Sequence, residues 1–120
     1  MAKKLEIKIG LTMGDPNGIG TEVLIRALQF LHPFQNWEAL IFGDAEILTK
    51  MNEALGAPFS FEEISKNYSR HSNGSADSFC IPVIDLSVEK DRKWKLGTCS
   101  AWGGESAFQF VHSAIDWANR

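Results

Sequence analysis

The sequence predicts an α/β fold, and three observations carry that reading. Apolar patterns of period two alternate with patterns of helical period, a glycine-rich turn joins the first pair, and the last element is a helix with no strand after it. A strand-helix-strand crossover is the closed unit of such folds, so the final helix leaves one crossover open and the fold is expected to be incomplete in this chain. Its 120 residues, 44% hydrophobic and 22% charged, suit one soluble globular core.

Leu5, Ile7, Ile9 and Leu11 alternate with Glu6, Lys8 and Gly10, which predicts a strand with one buried face. From Thr21 onward Val23, Leu24, Ala27, Leu28 and Leu31 recur at helical spacing. His32-Pro33 stops that run, because proline disfavours helix in the residue before it. Residues 39–42 read as a second, more fully buried strand. Asp44 then suits the N-cap of a helix carrying Ile47, Leu48, Met51 and Leu55, with the ribose-binding acid of a dinucleotide fold as its alternative role. Gly56 occupies the place of a left-handed helix stop, and Pro58 prevents resumption.

Residues 59–64 predict a third strand with Phe59 and Phe61 on one face, and residues 79–84 a fourth, which Pro82 demotes to an edge or bulged position. Between them, residues 66–77 are rich in Ser, Asn and Gly and predict an exposed mobile loop. The mixed charges of residues 89–95 predict a solvated connection. Ala107, Val111, Ala114 and Ala118, with Phe108 and Ile115 beside them, predict a long amphipathic final helix.

Twelve Lys plus Arg against 15 Asp plus Glu leave a net charge of -3, which offers no footprint for a nucleic acid. No apolar run has the length of a signal peptide core or a membrane span, so a cytoplasmic chain is expected, and the sequons at Asn67 and Asn73 read as loop residues. Cys80 and Cys99 lack a C-x-x-C partner or a flanking His and read as two reduced, partly buried thiols. His32, His71 and His112 share no metal-ligand spacing and read as ordinary imidazoles.

The informative segment is Thr12-Met-Gly-Asp-Pro-Asn-Gly-Ile-Gly-Thr-Glu22, between the first strand and the first helix, where ligands of α/β proteins commonly sit. Gly14, Gly18 and Gly20 permit positive φ and close backbone approach, and the helix start behind them offers free N–H groups to an anion. It is neither standard phosphate loop. No Lys-Ser or Lys-Thr follows the glycines, and Gly18-Ile-Gly20 runs into Thr-Glu-Val rather than x-x-Gly. A tight turn without ligand and a ligand-contacting turn both fit these residues.

The string from Ile9 to Val23 resembles the N-terminal signature of the 4-hydroxythreonine-4-phosphate dehydrogenase family, T-x-G-[DE]-P-x-G-I-G-P-E, with Thr21 in place of the proline. Gly43-Asp44, Leu48, Ala54-Leu55-Gly56 and the stretch Gly97-Thr-Cys-Ser-Ala-Trp-Gly-Gly104 leading into the final helix are similar to later parts of that family. The resemblance implies a three-layer α/β/α fold like that of the isocitrate and isopropylmalate dehydrogenases. Of this, residues 1–120 would form the N-terminal part of a single domain pair. It further implies NAD-dependent oxidation of the C3 hydroxyl of 4-phosphooxy-L-threonine, with loss of carbon dioxide, on the route to pyridoxal phosphate (vitamin B6).

The family's divalent metal, which polarises the hydroxyl, is held by three histidines with no counterparts in this chain. A small phosphorylated substrate and a homodimer are implied as well. By similarity to the related glycine turn of the isocitrate-type enzymes, Gly14, Asp15, Gly18, Ile19 and Gly20 form the cofactor-side turn, Ile19 packing on a flat ring while the glycines let the backbone close in. No catalytic or metal-binding residue carries over. The alternative, from another class, is a complete but non-catalytic α/β binding or interaction module whose exposed helix face requires a partner.

Overall fold

The structure, a computed structural model, describes residues 7–34, 37–65, 79–86 and 94–119. Its elements are β1 (Ile7–Thr12), α1 (Gly20–Leu31), β2 (Trp37–Gly43), α2 (Ala45–Leu55), β3 (Ser60–Ile64), β4 (Cys80–Asp85) and α3 (Ala101–Ala118). The strands form one fully parallel sheet in the order β1-β2-β4-β3. The expected loop at residues 66–77, both sequons and most of the charged run lie outside the described residues.

Register explains how Pro82 is accommodated, for β4 is an interior strand in unbroken register with β3 and not the edge or bulged strand expected of it. β3 pairs β4 along its whole length, Ser60↔Cys80 to Ile64↔Ile84, whereas β2 meets β4 only from Ile41↔Val83 to Gly43↔Asp85. Pro82 therefore falls just before the β2 ladder begins, where its missing N–H breaks no bond on that side.

Partners in register point the same way and chain neighbours point oppositely, so Lys8, Gly10, Leu40, Phe42 and Ile84 share one face of the sheet. α3 covers that face over β1 and β2. The ring of Trp117 lies 5.7 Å from that of Phe42, and a Cβ on Gly10 would come within 3.4 Å of Trp117 and 3.1 Å of Phe42. A side chain there would push these rings by a few tenths of an ångström, so glycine eases the close approach of the helix to β1. On the other face α1 and α2 pack against each other, and the crossovers β1-α1-β2 and β2-α2-β3 run in the same direction across the sheet. Three layers result, with Ile41, Phe42, Val83, Ile25, Leu28, Ile47, Leu48 and Phe110 at the core.

Local signals act as expected in α2. Asp44 Oδ1 accepts from the Ile47 N–H at 3.1 Å, and Gly56 at φ 64° ends the helix with its N–H on the Asn52 and Glu53 carbonyls. The buried faces differ from expectation in three elements. In β1, Ile7 is 56% and Ile9 40% exposed, while the neighbouring Lys8 side chain is only 8% exposed under the α3 side. In α1 the buried line is Thr21, Leu24, Ile25 and Leu28, leaving Val23, Ala27 and Leu31 outside. α3 begins at Ala101, so Gly103 and Gly104 belong to the helix, and it buries Gly103, Ser106, Phe110 and Trp117 rather than the stripe through Val111 and Ala118. In each case apolar surface remains for which no covering element exists among the described residues.

Candidate functional site

The glycine turn follows β1 at the carboxyl edge of the sheet, and each of its residues has a separate task. Gly14 adopts φ 69°, a left-handed conformation that a side chain resists. Gly18 donates its N–H to the Asp15 carbonyl at 2.9 Å, closing the turn. Ile19 precedes α1 with no side-chain cap on the helix and is 79% exposed. Gly20 starts α1 against the Met13 carbonyl, into which a Cβ would collide, so the helix can leave the turn only from glycine. Thr21, where the resembling family has proline, is fully buried, and its hydroxyl has no hydrogen-bond partner among the described residues.

Beyond these five predicted residues, the structure adds Asn17, which is 1% exposed and binds in four directions. Its N–H donates to Asp15 Oδ1 at 2.9 Å and its Nδ2 to Ser100 Oγ at 2.9 Å. Its Oδ1 accepts from the Lys95 N–H at 3.2 Å, and its carbonyl from the Gly97 N–H at 2.8 Å. Trp94 Nε1 donates to the neighbouring Pro16 carbonyl at 2.7 Å. The half-buried Trp94 side chain and the Lys95 backbone thus meet the turn, while Lys95 itself is exposed. Sequence reasoning quoted the stretch from Gly97 to Gly104 but had no signal that it touches the turn.

Ser100 ties this contact to α3. Its hydroxyl accepts from the Gly103 N–H at 3.1 Å as the helix cap while also receiving Asn17. A Cβ on Gly103 would lie 2.5 Å from Asp15 Oδ1, so the Asp15 carboxylate sits against the first turn of α3, where unpaired N–H groups favour negative charge. At the same sheet edge the Asp44 N–H donates to Met13 Sδ at 3.1 Å and the Ala45 N–H to Asp85 Oδ2 at 3.3 Å. Asp44 therefore serves as the cap of α2.

The other candidate residues are dispersed. His32 stacks on Phe79 with ring centroids 4.1 Å apart, His112 stacks on Phe108, and His71 lies outside the described residues. Cys80 Sγ donates to Glu62 Oε2 at 3.5 Å and is half-buried, whereas Cys99 is exposed rather than partly buried. Among the described residues no group of three His, Cys, Asp or Glu could hold a metal ion, and no helix is long and apolar enough to cross a membrane. A cavity of about 190 Å³ opens between α3 and β4, lined by Phe42, Ile84, Leu86, His112 and Asp116, and it includes no residue of the glycine turn.

Fold and turn together define a parallel α/β protein whose glycine turn opens at the carboxyl ends of the strands, the position from which such proteins bind ligands. No family model matches the chain. A Symbiobacterium thermophilum protein provisionally named a D-threonate 4-phosphate dehydrogenase is 27% identical over 111 residues, 92% of this chain and 32% of its own length. A 4-hydroxythreonine-4-phosphate dehydrogenase from Nostoc sp. is 27% identical over 115 residues, 94% of this chain and 29% of its own. The crystal structure of a 4-hydroxythreonine-4-phosphate dehydrogenase from Burkholderia phymatum matches with a TM-score of 0.78 at 29% identity, over 94% of this chain and 33% of that one. The chain is similar to an N-terminal portion of the 4-hydroxythreonine-4-phosphate dehydrogenase family and spans about a third of the length of the relatives it matches.

Proposed function

We propose that this chain forms the N-terminal part of the α/β domain pair of an NAD-dependent, metal-dependent dehydrogenase that oxidises 4-phosphooxy-L-threonine, a cytoplasmic homodimer of vitamin B6 biosynthesis. The names of the relatives support a small phosphorylated substrate and an oxidoreductase class. The observation that carries the reading is the turn itself: the family's signature residues lie at the carboxyl edge with Ile19 79% exposed beside the uncapped start of α1.

That surface fits a dinucleotide. The free N–H groups at the start of α1 favour an anionic group, Ile19 offers apolar contact to a flat ring, and Gly14 leaves space for close approach. The bound NAD would supply a hydride acceptor for the substrate carbon. This chain's own contribution is to position the cofactor, with Asn17 and Ser100 holding the turn in place. The described residues do not fit the divalent metal, since no ligand set occurs among them.

The test is a chimera in which this chain replaces the matching third of the Burkholderia phymatum enzyme. NAD reduction with 4-phosphooxy-L-threonine is expected, and Ile19→Lys should raise the KM for NAD by about tenfold or more with little change in kcat, the signature of lost binding contact. A folded chimera that reduces no NAD overturns the reading for the chain. Full activity with an unchanged KM in the Ile19→Lys variant overturns the assignment of the turn.

A further inference from the structure

The cavity of about 190 Å³ between α3 and β4 includes no residue of the glycine turn, and its two walls are chemically unlike. Phe42 on β2 and Ile84 on β4 are partners in register, so their side chains stand together on the α3 face of the sheet, 0% and 2% exposed. Trp117, its ring 5.7 Å from that of Phe42, continues this apolar wall. The opposite wall is a row of Gln109, His112, Ser113 and Asp116 along one flank of α3. A helix flank turned toward a sheet ordinarily carries apolar side chains that close the space. This flank carries an amide, an imidazole, a hydroxyl and a carboxylate instead. α3 seats itself over β1 and β2, and toward β4 the gap stays open.

We propose that this cavity binds a small aromatic cation, a single ring bearing an amidinium or a protonated amine. Size sets the first limit. An apolar cavity of roughly 150 Å³ already takes up benzene. A cavity of about 190 Å³ therefore holds one six-membered ring with a short substituent and is too small for a dinucleotide. The apolar wall sets the orientation, since water against Phe42, Ile84 and Trp117 finds few hydrogen bonds and a flat ring displaces it onto apolar and aromatic surface. The polar row selects the substituent. With histidine neutral, Asp116 is the only charged residue lining the cavity among the described residues, so a cation is drawn in and a carboxylate or phosphate is repelled. Gln109 and Ser113 add oxygen acceptors for the N–H groups of such a head. His112 is held at the mouth by stacking on Phe108, ring centroids 5.9 Å apart. The site is separate from the glycine turn and stands whichever reaction the turn serves.

Benzamidine titrated into this chain and followed by amide NMR tests the proposal. The signals of Ile84, Leu86, Ser113 and Trp117 should shift and saturate with a Kd of about 2 mM or below. Benzoate, of similar shape and opposite charge, should bind at least about tenfold more weakly, and Asp116→Asn should weaken benzamidine about tenfold. Ser113→Leu, which fills the cavity, should abolish binding. A Kd above about 2 mM, or shifts confined to residues away from the cavity, overturns the site. Benzoate binding as tightly as benzamidine, or an Asp116→Asn chain that binds benzamidine unchanged, overturns the assignment of a cation. A Ser113→Leu chain with a dispersed spectrum that still binds overturns the placement. Should that variant lose its dispersed spectrum, Gln109→Trp at the exposed rim makes the same test, with the same two outcomes.

Discussion

Asn17 and Ser100 are joined side chain to side chain at 2.9 Å although 83 positions separate them, and this bond fastens the glycine turn to the start of α3. Ser100 alone would cap a helix, and Asn17 alone would shape a turn. Together they bring into contact the two stretches that most resemble the dehydrogenase family, one at each end of the chain.

Replacing Asn17 with alanine removes the donor to Ser100 and the acceptor for the Lys95 N–H at a site almost without solvent. The expected cost is about 2–3 kcal/mol, for stranded buried groups lose more than the net worth of the bonds. Urea unfolding followed by circular dichroism should show a lower midpoint with an unchanged slope. A midpoint equal to that of the parent would mean that Asn17 fastens nothing.

The two adjacent glycines of α3 should respond in opposite directions. A methyl on Gly103 meets Asp15 Oδ1, Asn17 Nδ2 and Ser100 Oγ, so Gly103→Ala should destabilise by about 1–3 kcal/mol through overpacking. Gly104 has nothing within 4 Å of such a methyl, and Gly104→Ala should stabilise by up to about 1 kcal/mol through helix propensity. Thermal melts of both variants settle the matter, and equal shifts would contradict the close packing at Gly103.

Thr21 carries a buried hydroxyl without a partner at the first turn of α1. Thr21→Val keeps the shape and removes the polar atom, so a gain of about 1 kcal/mol is expected. If urea denaturation shows a loss instead, the hydroxyl has a bonded role in solution.

Asp44 separates two roles cleanly. As a cap on α2, its replacement by alanine should cost about 1 kcal/mol and serine should restore most of it. NAD affinity, measured by calorimetry on the chimera, should not change with Asp44→Ser. A selective loss of affinity would favour the ribose-binding role.

The element order was legible because each boundary has a local chemical cause: His32-Pro33 ending α1, Asp44 and Gly56 bracketing α2, Pro58 keeping the chain out of helix. Faces were harder to read, since period alone names a stripe without saying what lies against it. Ile7 and Ile9 form a regular apolar alternation, yet they are exposed on β1, which pairs only with β2 among the described residues, while Gly10 on the other face lies close to Trp117. α3 misleads in the same way, for it has two apolar stripes and buries the less hydrophobic one, built on Gly103 and Ser106. Pro82 argued against an interior strand by a rule about donors, and only the staggered register with β2 removes the conflict. At the candidate site, the turn between β1 and α1 was legible from the motif. Asn17 was not, because its partners Lys95, Gly97 and Ser100 become its neighbours only through the three-dimensional path of the chain.

The bond from Trp94 to the Pro16 carbonyl gives the protein a built-in optical probe. An indole emits at a wavelength set by what its N–H touches and how much water surrounds its ring. One held at 2.7 Å from the backbone of the glycine turn will shift colour whenever that turn tightens, opens or is covered. With Trp37, Trp102 and Trp117 replaced by phenylalanine, the remaining emission would report events at the turn in real time, without a label and without catalysis.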